Sequence, residues 1–227
     1  MRKRVIILVG LLLSVLANPG FVKAQDLLDF DEDYLVQQFG KFFQFDGNKK
    51  KSVKTKAKST KNTYMKLTNT GKKFSSGAWN GLFKLKLEYI ENGRSVGSIL
   101  VVSGTRKNQF FRTGEDSRYK SYEPLPEGLW FIYDINFAGK RNVYERVSFG
   151  DGFGPVIIPL RYVSPGNTSR KSILIHLDSN ASKKPGTAGC IGVESVSDLQ
   201  KLIGWLRKTD PRDLYVDYGL GSIRLPK

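Results

Sequence analysis

A single cysteine and a single histidine in 227 residues, with a formal net charge of +16, exclude several classes of protein at once. A lone cysteine rules out an internal disulfide framework, and one Cys with one His supplies too few donors for a structural zinc site. The length suits one ordinary domain with flanking segments, and the charge favours polyanionic neighbours, although no nucleic-acid-binding motif accompanies it.

The first 24 residues read as a secretory signal. Arg2, Lys3 and Arg4 precede the apolar run Val5 to Ala17, and Val22-Lys23-Ala24 presents small residues at a cleavage site. The apolar run is short for a membrane span, so no stable span is expected after cleavage. Removal of Arg2, Lys3, Arg4 and Lys23 takes four of the sixteen net charges and leaves +12. The mature chain is therefore expected in the periplasm or cell envelope, where its anionic neighbours are envelope polymers and lipids rather than nucleic acid.

Residues 25–46 form a short amphipathic segment in which Leu28, Leu35, Phe39 and Phe42 recur at helical spacing. Residues 47–63 hold seven lysines and no acid. Such a segment repels itself and buries nothing, so a disordered linker is expected, with anionic envelope polymers as its possible partner. From 64 to 227 the composition is that of a folded domain.

Leu82, Leu85, Leu87 and Tyr89 lie in one strand-like run, and Val96, Ile99, Val101 and Val102 form another. Between them, Asn92-Gly93 accepts the positive φ angles of a tight hairpin. Residues 110–123 read as an exposed irregular loop. Further strands are expected at 129–133, 141–149, 155–163, 172–177 and 214–218. Ser195 caps the one clear helix, about 195–208, with Leu199, Leu202, Ile203 and Leu206 on one face and Pro211 beyond its end. Many strands with one helix give a mainly β fold, a sandwich or barrel with the helix packed against it.

The chemistry concentrates between His176 and Cys190. A Gly-, Pro- and Ser-containing spacer joins them, so the chain can bend back and bring the pair together. A thiolate is a nucleophile, and an imidazole beside it can take the thiol proton. The flexible Ala188-Gly189 step before Cys190 offers backbone amides to a developing oxyanion.

Three blocks of this sequence resemble the L,D-transpeptidase (YkuD-type) catalytic domain, in the family's order. They are the hairpin from Leu85 through Gly104, the run Leu125-Pro126-Glu127-Gly128-Leu129-Trp130, and His176 through Thr187-Ala188-Gly189-Cys190-Ile191. The resemblance implies an L,D-transpeptidase-like β fold and a cysteine acyl-transferase acting on peptidoglycan stem peptides. In that reading Cys190 is the nucleophile, His176 the base, the Leu177 carbonyl the group that orients the imidazole, and Gly189 an oxyanion support. Thr187, Gly192, Asp178 and Arg161 are the substrate-binding candidates. The chain departs from the family pattern at Ala188, where a second histidine is usual, and at Gly192, where Arg or Asn is usual. Arg161, Arg170, Lys183 and Lys184 are candidates to supply the missing cation. Neither a metal nor another cofactor is expected. A peptidoglycan carboxypeptidase or peptidase on the same scaffold and a non-catalytic wall-binding module stand as alternative readings.

Overall fold

The structure, a computed structural model, describes residues 62–139, 143, 144 and 147–226. The expected signal peptide, the amphipathic segment and nearly all of the lysine-rich linker lie outside them.

Among the described residues, nine strands and one helix follow in order: β1 (Thr63–Lys73), β2 (Phe83–Glu91), β3 (Arg94–Val102), β4 (Gly128–Ile132), β5 (Asn136–Phe137), β6 (Val156–Ser164), β7 (Ile173–Leu177), β8 (Ile191–Val193), α1 (Val196–Thr209) and β9 (Asp213–Asp217). The sheet runs β4-β9-β1-β2-β3-β8-β7-β6, and β6 pairs again with β4. Eight strands therefore close on themselves, with β5 added beside the start of β6. Closure removes the exposed edges that an open sheet would present. This decides between the sandwich and barrel expectations: the fold is a barrel.

Alternation explains what fills it. Met65 and Leu67, Leu85 and Leu87, Ile173 and Ile175, Ile191 and Val193, and Leu214 and Val216 all belong to one buried cluster. Each pair is spaced by two, the period that puts side chains on one face of a strand. An eight-stranded barrel is just wide enough to be filled by such side chains, so its interior is core and the chemistry must sit outside it or at its ends.

The 92–93 hairpin forms as expected, with φ of 52° at Asn92 and 74° at Gly93. Helix α1 has Ser195 as its N-cap, its hydroxyl accepting from the Asp198 N–H at 3.1 Å, and it ends at Asp210 in the left-handed region. Leu199, Leu202, Ile203 and Leu206 are buried, each contributing about 1.5–3 kcal/mol. Trp205 stacks on Tyr89 at 6.1 Å, so α1 covers the end of the barrel where β3 begins and β8 finishes.

Two expectations fail. Strand β1 was not anticipated; its lysines and threonines face outward beside a lysine-rich stretch and mask the alternating Met65 and Leu67. The strand expected over 141–149 is absent from the described part of that run, where 143 and 144 form a turn and 147–149 are irregular.

Candidate active site

Parallel pairing of β7 with β8 sets Ile175 opposite Ile191, His176 opposite Gly192 and Leu177 opposite Val193. Ile175 and Ile191 point into the core. Alternation then puts His176, Asp178, Cys190 and Gly192 on the other face. Cys190 immediately precedes β8, two positions from Gly192, so the sulfur and the imidazole belong to diagonal neighbours on one face of adjoining strands.

His176 Nδ1 lies 2.9 Å from the Leu177 carbonyl oxygen. A carbonyl oxygen only accepts, so Nδ1 carries the hydrogen and Nε2 keeps the lone pair. The residue is 4% exposed, and the Phe153 ring lies 4.9 Å away at 57°. Burial holds the imidazole pKa below its ordinary value, with the Leu177 and Gly152 carbonyls opposing in part. Burial thus favours the uncharged ring, the state a general base requires. Cys190 is equally sheltered, 4% exposed.

The loop before Cys190 is organised by the Thr187 hydroxyl. It donates to the Cys190 carbonyl and accepts from the Gly104 and Gly189 N–H groups, each at 3.3 Å. Ser103 Oγ accepts from the Leu125 N–H at 2.8 Å and donates to the Gly189 carbonyl at 3.1 Å. From the other side comes Arg170, 4% exposed, donating to the Ala188 carbonyl and, at 3.1 Å, to the Glu123 carbonyl. Gly189 has φ +107°, and a Cβ there would stand 1.9 Å from Arg170 Nη2. Only glycine admits both that backbone and that guanidinium.

Asp178 anchors the spacer at its start. Its Oδ2 accepts from Trp79 Nε1 at 2.6 Å and from the Gly186 N–H at 3.1 Å. Burial raises its pKa to about 6, against the lowering effect of those two donors. A Cβ on Gly192 would lie 2.9 Å from Thr187 Cγ2, 3.2 Å from Val102 Cγ2 and 3.3 Å from Asp178 Cβ.

The family model of the L,D-transpeptidase catalytic domain (YkuD) matches residues 84–214. The chain belongs to the L,D-transpeptidase family. Membership carries L,D-transpeptidase-type catalysis and a peptidoglycan-related role in general terms. No curated protein matches the sequence. Among solved structures, the helical cell shape determining protein Pgp2 from Campylobacter jejuni is similar at 14% identity with a TM-score of 0.38. That similarity covers 69% of this chain and 48% of Pgp2, so the chain spans about half the length of that relative.

Within this L,D-transpeptidase domain the sequence-based candidates have distinct surroundings. Thr187 is 4% exposed and its hydroxyl bonds within the loop, where it organises the turn. Asp178 is likewise 4% exposed and turned toward Trp79. The Gly189 N–H is directed at the Thr187 hydroxyl at 3.3 Å. At Gly192 the space of a side chain is taken by Asp178, Thr187 and Val102, so the usual Arg or Asn has no room. Arg161 is exposed on β6 and contacts Tyr133 and Phe131, not the face shared by His176 and Cys190. The irregular segment 110–123 is not all surface loop: Glu123 is 5% exposed and its backbone packs against the Cys190 loop. Trp79, Glu123, Phe153 and the inward role of Arg170 had no local signal, because each reaches the site from a distant part of the chain.

Proposed function

We propose that this chain is an exported cysteine acyl-transferase acting on peptidoglycan stem peptides. The observation that supports the reading is the register that sets His176 on β7 opposite Gly192 on β8, two residues after Cys190, with Nδ1 held against the Leu177 carbonyl. Nε2 accepts the thiol proton. The thiolate attacks a peptide carbonyl carbon, and the C–N bond to the terminal D-alanine breaks as its amine takes that proton. A thioester on Cys190 results. The amine of a second stem peptide then attacks the thioester, forms an amide as its proton passes to His176 Nε2, and returns the sulfur to the thiolate. The Cys190 loop is held by Thr187, Ser103 and Arg170, which keeps the sulfur's position fixed between the two half-reactions.

Export follows from the signal pattern over 1–24, and the lysine-rich segment 47–63 supplies an attachment to anionic envelope polymers. Mass spectrometry of the protein incubated with a tetrapeptide stem tests the chemistry directly. The expected result is an adduct on Cys190 lighter than the added peptide by one alanine, lost in Cys190→Ala and slowed in His176→Ala. Absence of any adduct with wild type overturns the reading. Release of free tripeptide with no joined product would assign the second half-reaction to water.

A further inference from the structure

A cleft of about 450 Å³ opens on the barrel wall between β4, β6 and the 166–172 loop. The proposed function does not use it. Arg161, Arg170 and Lys171 line it, and no Asp or Glu does. Arg161 is oriented by its Nε–H donating to Tyr133 Oη at 2.8 Å, and its terminal amino groups have no hydrogen-bond partner among the described residues. Neither Arg161 nor Lys171 pairs with a carboxylate among the described residues. Ser172, also in the lining, is 7% exposed, and its hydroxyl is buried without a hydrogen-bond partner. It holds φ +55°, a conformation a serine keeps only where its surroundings impose it.

A hydroxyl that is buried and unmatched, beside the Arg161 and Lys171 cations, with Glu115 the acid nearest the lining at Gly166, is a donor set lacking its acceptor. The cleft is also joined to the Cys190 loop. Arg170 lines it and on its other side donates to the Ala188 carbonyl. Ser172 immediately precedes β7, the strand that carries His176. Loops at this end of the barrel, where β3 and β6 finish and β7 and β8 start, thus hold the reactive sulfur and the cationic cleft together.

We propose that this cleft is a subsite for a carboxylate of the peptide substrate, bound by Arg161, Lys171 and the Ser172 hydroxyl. It deepens the function proposed above and rests on that reading for the identity of the peptide. The volume suits one or two amino-acid residues and not a polymer chain.

The test separates binding from chemistry by using the full chain with Cys190→Ala. A tetrapeptide stem and the same peptide with every carboxylate converted to the amide are titrated by calorimetry. The expected result is that amidation weakens binding about tenfold, the scale of a charge-assisted hydrogen bond. Arg161→Ala and Ser172→Ala should weaken binding of the free acid and leave the amide unchanged, and Arg161→Lys should retain part of the affinity. Arg161 is exposed, so its replacement does not threaten folding. Equal binding of acid and amide, or indifference to Arg161→Ala, overturns the subsite. Competition by inorganic phosphate with none by acetate would overturn the carboxylate assignment. Acylation of Cys190 in the wild type is scored separately, so loss of that activity with carboxylate binding intact would count against the enzymatic reading and not against the cleft.

Discussion

Trp79 Nε1 donates to Asp178 Oδ2 at 2.6 Å, tying together residues 99 positions apart. Trp79 is fully buried with Leu82 and Val102, and Asp178 stands two residues beyond His176 at the start of the spacer that ends in Cys190. The spacer is thereby fixed to the loop that joins β1 and β2.

The pH dependence of stability reads this contact. Asp178 has its pKa raised from 3.8 to about 6, so the folded state binds that proton more tightly than the unfolded chain. Between roughly pH 4 and 6 the folded protein carries the extra proton, and this group's contribution to stability falls as pH rises through the window. Below the window the penalty is absent; above it the penalty is constant. Asp178→Asn should flatten the slope, and the wild-type-to-variant difference from urea unfolding should change by about 2–3 kcal/mol between pH 4 and 7. An unchanged slope would show that Asp178 does not titrate there. Trp79→Phe, which removes one donor, should cost about 1–3 kcal/mol at pH 7.

Gly189→Ala introduces a Cβ that would lie 1.9 Å from Arg170 Nη2 and 3.0 Å from the Glu123 carbonyl oxygen, on a backbone with φ +107°. The expected loss is about 2–4 kcal/mol, from overpacking and backbone strain together. Combining it with Arg170→Ala should recover part of that loss, because the guanidinium is the closest obstacle. Urea unfolding of the two single variants and the double gives the coupling, and strict additivity would contradict the contact.

Thr187→Val keeps the shape and removes the hydroxyl that serves Cys190, Gly104 and Gly189. About 2–3 kcal/mol of stability should be lost. Alkylation of Cys190 by iodoacetamide should change in rate, because the turn holding the sulfur loses its centre. Thr187→Ser should restore both. The single cysteine makes the labelling site unambiguous.

The single histidine makes its titration equally clear in a proton NMR spectrum. Burial lowers the His176 pKa from 6.5, so the midpoint should fall below that value and the base form should persist into mildly acidic solution. Phe153→Ala removes apolar cover from the ring and should move the midpoint back toward the ordinary value. The acid limb of Cys190 acylation should move with it. A wild-type midpoint at or above 6.5 would count against a sheltered neutral base.

Much of this protein is written locally. The period-two alternation of β2, the Asn92-Gly93 turn and the Ser195 cap each depend on residues within a few positions, where sterics and short-range hydrogen bonds decide the outcome. Closure of the barrel through β4 and β6, the reach of Trp79 to Asp178, and the insertion of Arg170 beside Gly189 are different in kind. They join segments far apart in the chain, and strand register and packing volume set them. No local pattern encodes those quantities, and so the tertiary structure alone assigned Thr187 and Asp178 to holding the loop and left the cationic cleft open at the barrel wall.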